Sequence, residues 1–153
     1  MCWNEHIKIL KICWKLKNVK AVMSPDFSAY VDMDKAEIIH NIYKSRIVGR
    51  KWQQYGIKVI PTIIWAKPNT YDISFMGIEQ NSIVAISTYG AVKNKNFFLQ
   101  GYKEMQKRLK PKTVICIGNK LKEIDEGNLI FVKARDTYFM NSKNDNQPNL
   151  FDD

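Results

Sequence analysis

Three stretches of the chain repeat apolar residues at the spacing of an α-helix. In the first, near the amino terminus, apolar side chains recur every three or four residues with lysines between them, which is typical of an amphipathic helix. The second begins with the capping-box-like pair Asp34 and Glu37 and ends before Gly56, the residue type expected just past a helix end. The third ends before Pro111, which cannot continue a helix. The predicted helices are residues 3–18, 34–55 and 97–109.

Short runs rich in β-branched residues alternate with these helices and predict strands. Two of the runs, residues 82–87 and 113–117, are apolar without alternation, so both faces of their sheet should be covered. That pattern is typical of a parallel sheet with crossover helices. Residues 71–75 alternate with period two and predict a short edge strand. The predicted strands are residues 19–23, 57–65, 71–75, 82–87, 113–117 and 129–132.

The fold expected from this order is a single α/β domain over residues 1–139, with a mostly parallel sheet of about five strands and crossover helices. Residues 140–153 are polar and without periodicity, which predicts a flexible tail. The longest uncharged apolar run is far shorter than the ~20 residues that span a bilayer, and no secretory segment opens the chain. We therefore expect an intracellular protein that does not partner a membrane.

Metal and cofactor sites are not expected. Cys2, Cys13 and Cys116 show no metal-ligand spacing, and His6 and His40 are isolated from them and from each other. Neither a glycine-rich dinucleotide fingerprint nor a P-loop occurs. The cysteine at position 116 lies in an apolar run, where a free thiol behaves as a small hydrophobic group.

The net charge of +9 indicates an acidic partner. The tail carries one lysine against three aspartates, so the excess positive charge lies in the first 139 residues. A basic body attracts nucleic acid, the alternative being a solvated lysine-rich surface. Arg46 and Arg50 share a helix face and can grip phosphate, unless they form an ordinary solvated face. The candidate nucleic-acid contacts are Lys8, Lys11, Lys15, Arg46, Arg50, Lys107 and Arg108.

Three residues at the carboxyl ends of predicted strands are candidates for a small-ligand or catalytic cleft. In an open parallel sheet, ligands bind at the carboxyl ends of the strands, and Asp26, Trp65 and Thr88 lie at three such ends. Asp26 is the one carboxylate among the strand-end residues, so no catalytic pair is evident. Its alternative role is to accept bonds from backbone amides in a turn. An enzymatic activity is therefore left open.

Several longer segments resemble a known family. These are Ser24-Pro-Asp-Phe-Ser28, Tyr43-Lys-Ser-Arg46 followed by Trp52-Gln53, and Gly56-Ile-Lys-Val-Ile-Pro-Thr62 with Trp65. Together with residues 84–88 and 105–114, they are similar to an uncharacterised domain-of-unknown-function family of phages, plasmids and other bacterial mobile elements. The likeness covers about residues 3–135 and implies an α/β fold and a mobile-element context, with no established catalytic residues. Members usually carry a further segment before the position of Trp3, and its loss would leave one sheet edge exposed or covered by the first helix.

The tail contains a short motif of its own. Its sequence Gln147-Pro-Asn-Leu150-Phe151 resembles the peptide by which bacterial polymerases and repair proteins dock on the replicative sliding clamp. Leu150 and Phe151 form an apolar plug, Gln147 suits a polar rim, and a flexible tail lets the plug reach a pocket. Pro148 replaces the usual leucine, which should weaken docking. The alternative is that Leu150 and Phe151 fold back onto the domain.

The function predicted from these features is that of a mobile-element protein acting at DNA replication in the cytoplasm of a bacterial host cell. The tail peptide would recruit it to the sliding clamp, and the basic body would contact nucleic acid. Two alternatives stay open. One is an interaction protein that inhibits a host replication or defence complex without binding DNA. The other is a small-ligand or nucleotide-handling enzyme that uses the strand-end residues.

Overall fold

The computed structural model describes residues 20–89, 91–124 and 127–132, with the side chain of residue 92 left aside. The helix predicted at residues 3–18 and the tail from residue 140 lie outside these residues. The described strands are β1 (Val22–Met23), β2 (Val59–Ile60), β3 (Ile83–Ser87), β4 (Thr113–Ile117) and β5 (Leu129–Val132). The described helices are α1 (Lys35–Gln54), α2 (Tyr71–Phe75) and α3 (Lys95–Leu109), with short 3₁₀ turns at Pro68–Thr70, Ala91–Asn94 and Lys122–Ile124.

All paired strands run in parallel. Strand β1 pairs with β2, and β3, β4 and β5 form a second ladder in that order. A bridge between Thr62 and Ala85 joins the two ladders, and the Ile63 N–H donates to the Ala85 carbonyl at 2.8 Å. The prediction of an α/β fold with a mostly parallel sheet is therefore confirmed.

Strand β2 is much shorter than the predicted strand at residues 57–65. Pro61 has no N–H to donate. The N–H of Thr62 donates to the Ser24 side-chain oxygen at 2.9 Å instead of to a neighbouring strand. The pairing of β1 with β2 therefore ends at Ile60, and beyond it the chain pairs with β3 only at the bridge between Thr62 and Ala85.

Residues 71–75 form helix α2, so the prediction of an edge strand there is wrong. Pro68 opens the preceding 3₁₀ turn, and the Thr70 hydroxyl donates to the carbonyl three residues back at 2.7 Å. The backbone is therefore already helical where α2 begins. Tyr71 and Phe75 are both buried, and a spacing of four satisfies a helix as well as an alternating strand. Five residues are too few for periodicity to decide between them.

Helices cover both faces of the sheet. The segment that follows β2 alternates between two hydrophobic clusters, with Ile63 and Trp65 in one and Ile64 and Ala66 in the other. The first cluster packs under α3, whose Tyr102 is 1% exposed, and the second packs under α1. This arrangement is the one that non-alternating apolar strands predict.

Cys116 lies buried in β4, and burial raises the pKa of its thiol to about 11. A hydrogen bond with the Thr88 side chain opposes part of this shift. Within the described ranges, no three His, Cys, Asp or Glu side chains come together as metal ligands would. None of the helices in the same ranges is both long and apolar enough to cross a membrane.

Candidate functional site

A buried hydroxyl network fixes the loops that carry two of the predicted site residues. The side-chain oxygens of Ser24, after β1, and Ser45, on α1, lie 3.1 Å apart. The Thr62 hydroxyl, after β2, donates to the Ser24 carbonyl at 2.5 Å. These three residues belong to the segments that resemble a family, and they tie β1, α1 and β2 together. The loops leading to Asp26 and Trp65 therefore start from fixed points.

Arg46 turns into the fold rather than forming a solvated face with Arg50. Its guanidinium donates to the Thr62 carbonyl at 3.3 Å and to the Ser74 carbonyl at 3.0 Å, which links α1 to α2. Burial lowers the pKa of Arg46 to about 10, because the charged form loses hydration. In the part of the chain that the structure describes, no carboxylate pairs with this guanidinium, and its Nε has no partner. Arg50 is exposed.

The other predicted nucleic-acid contacts are placed differently from one another. Arg108 donates to Asp72 at 2.6 Å and to Glu104 at 2.7 Å, and these two carboxylates raise the pKa of Arg108. Its charge is therefore already compensated. Lys107 is exposed at the end of α3. The remaining three predicted contacts, at positions 8, 11 and 15, lie outside the described residues.

A basic groove of about 880 Å³ opens where the strands begin. Parallel strands joined by crossover helices all start at one edge of the sheet, so α1 and α3 end at that edge. Among the described residues that line this groove, Glu79 is the one carboxylate. We call this cavity the basic groove, and its cationic lining residues are Lys20, Arg46, Arg50 and Lys58. Lys110 and Lys112 lie at the same edge, in the turn from α3 to β4.

A second cavity, of about 210 Å³, opens at the opposite edge, where the strands end. The loop after β1, the segment after β2, the end of β3 and the start of α3 contribute to it. We call it the strand-end cavity; its polar and aromatic lining residues are Asp26, Ser28, Tyr30, Trp65, Ser87, Tyr89, Asn94, Phe97 and Phe98. No cationic side chain is present among the described residues that line it.

Asp26 provides the negative charge of the strand-end cavity. Although the residue keeps an exposed surface, protein atoms crowd its carboxyl group, and this burial raises the pKa of Asp26 above its ordinary value of 3.8. A hydrogen bond with the Ser87 side chain opposes part of the shift. A carboxylate with reduced hydration at the mouth of a cavity is a strong acceptor for N–H donors.

Trp65 forms a fixed wall of the strand-end cavity. It is 8% exposed, and its ring lies 5.3 Å from the Phe98 ring and 6.4 Å from the Phe75 ring, measured between centroids. The indole lies against the backbone of α3 at Gly101, where a Cβ atom would overlap the Cδ1 and Nε1 atoms of the ring. Only glycine leaves this space, so the ring position depends on Gly101.

Thr88 does not line the cavity with Asp26 and Trp65, contrary to the expectation that the three face one cleft. It is 1% exposed, and its hydroxyl oxygen lies 2.9 Å from the Asn119 carbonyl and 3.2 Å from the Ile117 carbonyl. Its neighbours Ser87 and Tyr89 line the cavity instead, because successive side chains at a strand end point to opposite sides. Thr88 joins the loops that follow β3 and β4.

Sequence reasoning did not single out Tyr30, Asn94 and Phe97, which also line the cavity. Asn94 precedes the first residue of α3 and so could have been recognised as a helix-start residue. Tyr30 and Phe97 carry no local signal. They reach the cavity because the β1 loop and the start of α3 meet at the carboxyl edge of the sheet.

Comparison with known proteins places the chain in a family. Residues 2–135 match the family described as Domain of unknown function (DUF4417). The Gene 1 protein of Mycobacterium phage L5 is 39% identical over 140 residues, which cover 90% of this chain and 59% of that protein. The Gene 1 protein of Mycobacterium phage D29 is 38% identical over 140 residues, which cover 90% of this chain and 50% of that protein.

The chain thus spans about half the length of these phage relatives. No solved structure matches it. The phage origin of both relatives agrees with the mobile-element context that the resemblance implied, and the match covers the residues that carried it. The chain belongs to the family of the domain of unknown function DUF4417.

Proposed function

We propose that this protein is a mobile-element protein that contacts nucleic acid through its basic groove and acts at DNA replication. The observation that carries the proposal is the described lining of that groove, which holds three exposed cations, the partly buried Arg46 and one carboxylate. Phosphate contacts supply most of the affinity in sequence-tolerant nucleic-acid binding, and they need cations of this kind on one continuous surface.

The position of these cations argues for a ligand rather than for stabilisation of helices. Basic residues in the last turn of a helix are favoured by the helix dipole, which accounts for Lys107 at the end of α3. Lys20 and Lys58 instead lie just before strands β1 and β2, outside the described helices. Arg46 adds a charge that no described carboxylate neutralises. An anion in the groove would balance all of these charges.

The groove favours contacts to the backbone of nucleic acid over contacts to its bases. Its described lining has aliphatic side chains such as Met76 and Ile83 and no aromatic ring, so bases have nothing there on which to stack. We therefore expect weak binding that tolerates any sequence and falls steeply with salt.

The link to replication rests on the tail peptide at residues 147–151. The family match ends at residue 135, so the peptide stands after the family domain. Leu150 and Phe151 suit the hydrophobic pocket of a bacterial sliding clamp, and Gln147 suits its polar rim. Docking would hold the basic groove close to newly replicated DNA.

A salt titration with the full chain tests the nucleic-acid contact. Binding of a fluorescent DNA duplex is followed by anisotropy for the parent and for the triple variant Lys20→Glu, Arg50→Glu, Lys58→Glu. The variant should bind more weakly, and the slope of log affinity against log salt should fall by about two to three, roughly one for each lost phosphate contact. The matched control reverses three exposed lysines at the opposite edge: Lys67→Glu, Lys93→Glu, Lys122→Glu.

The control distinguishes a surface from net charge, because both triple variants change the charge equally. The proposal predicts that the control keeps most of the parent slope. Equal losses in the two variants would mean that the protein attracts DNA through net charge alone, and the basic groove would not be its site.

A separate experiment tests recruitment by the tail. The full chain and the variant Leu150→Ala, Phe151→Ala are tested for binding to a purified bacterial sliding clamp, with Asp152→Ala as control. We expect micromolar binding that the double variant loses and the control keeps, because two apolar anchors do most of the holding. If the double variant binds as well as the parent, the peptide does not dock. Clamp binding without any DNA binding would favour the alternative of an interaction protein.

A further inference from the structure

The strand-end cavity combines a negatively charged carboxylate with aromatic rings, whereas the chain as a whole has a net positive charge. We propose that it binds a single guanine base, presented by a free nucleotide or by a nucleic-acid strand, with Asp26 accepting hydrogen bonds from the base. The site lies at the opposite edge of the sheet from the basic groove, so this proposal does not rest on the one above.

The size of the cavity suits one ring system. Its volume of about 210 Å³ equals roughly seven water molecules at about 30 Å³ each, which leaves room for a base and none for an oligonucleotide. Trp65 and Phe98 form its inner wall as a ring pair. A ligand that enters therefore meets aromatic surface.

Three aromatic side chains at the rim of the cavity are exposed. Tyr30 is 50% exposed, Tyr89 is 47% exposed and Phe97 is 37% exposed, and all three line the same opening. Exposed aromatic side chains grouped around a cavity are typical of binding sites, and base stacking on such rings contributes about 1–3 kcal/mol per base. A flat, aromatic ligand would cover this surface.

The single carboxylate selects the base. The two oxygens of Asp26 can accept from two neighbouring N–H donors, and guanine offers such a pair in its N1–H and 2-amino group. Adenine and cytosine each present one amino group beside a ring acceptor, which a carboxylate repels. Ser28 and Asn94 line the same cavity and can donate to the O6 and N7 acceptors of guanine.

An organic cation is the other ligand that a carboxylate among aromatic rings can hold. The charge of the chain disfavours it, because a protein with a net charge of +9 repels small cations. The same net positive charge attracts a nucleotide, whose phosphate would remain outside the cavity.

The test measures binding of GMP, IMP and AMP to the full chain by titration calorimetry. IMP is the sharp comparison, because it keeps the N1–H of guanine and lacks only the 2-amino group. We expect GMP to bind about tenfold or more tightly than IMP, and AMP to bind more weakly still. The variant Asp26→Asn should lose the preference for GMP over IMP. The control Asp32→Asn changes an exposed aspartate of the same loop that lies outside the cavity and should keep it.

Two further arms complete the test. Oligonucleotides that contain one dG or one deoxyinosine show whether the base is read within a strand, and thermal unfolding confirms that each variant is folded. The triple variant of the basic groove should bind GMP like the parent, so failure of one proposal is distinguishable from failure of the other. Equal affinity for all three nucleotides, no binding at millimolar concentration, or a preference for the organic cation agmatine would overturn the assignment.

Discussion

The substitution Gly101→Ala tests how the wall of the strand-end cavity is built. A methyl group at this position would overlap three atoms of the Trp65 indole, and the ring cannot yield easily because Phe75 and Phe98 pack against it. Overpacking of this kind costs about 1–3 kcal/mol, and three overlapping atoms place the cost near the upper end. Alanine favours the helix over glycine by about 1 kcal/mol. The free energy of unfolding should therefore fall by about 2 kcal/mol.

Urea denaturation followed by circular dichroism measures this change. The partner variant Trp65→Phe makes room for the methyl group, so the double variant should lose less stability than the two single changes added together, with a coupling of about 1–2 kcal/mol. Gln100→Ala changes the exposed neighbour on the same helix and should stay within about 0.5 kcal/mol of the parent. If Gly101→Ala instead stabilises the protein by the 1 kcal/mol of helix propensity, the indole does not lie against α3.

Three further predictions concern single groups. Asp26→Asn should stabilise the protein at pH 7. The carboxyl group has a pKa of 3.8 in the unfolded chain and a higher pKa in the folded protein, so the parent loses stability as the pH rises from the first value through the second. The difference in thermal midpoint between the variant and the parent should therefore vanish below pH 3.8. A variant less stable than the parent at pH 7 would contradict this. Arg46→Met should cost about 2–4 kcal/mol in urea denaturation, because it leaves two carbonyls without a donor, whereas the exposed Arg50→Met should change little. Cys116 should resist iodoacetamide at pH 8 and react only in urea, as peptide mass spectrometry can show, because its thiol is buried and its pKa is about 11; full labelling of the native protein would refute this.

Much of the fold could be predicted because its central strands are marked locally. Strands Thr113–Ile117 and Leu129–Val132 have the predicted bounds, since short apolar runs between turn residues leave little choice. Strand β2 was predicted too long, because the sequence does not show that the N–H of Thr62 finds a side-chain acceptor far along the chain. Tertiary contacts of this kind override local pattern.

The candidate site was predictable to the extent that it follows from strand ends. Asp26 and Trp65 line the cavity because parallel strands end at one edge, a rule that needs only the order of elements. The same rule could not show that Thr88 faces away from the cavity. The side to which its side chain points depends on the alternation along the strand, which the order of elements does not determine. Nor could helix spacing show that Arg46 turns inward, because the carbonyls that hold it belong to residues 16 and 28 positions away.

Hydrogen exchange measured on the full chain tests most directly the claim that nucleic acid binds in the basic groove, at the edge of the sheet where the strands begin. The ligand is an oligothymidylate, which lacks guanine and so leaves the strand-end cavity empty. The account predicts slower exchange of backbone amides around Lys20, Lys58 and Ile83, with no change around Asp26 and Tyr89. Slower exchange at the second set, with the first unaffected, would contradict it.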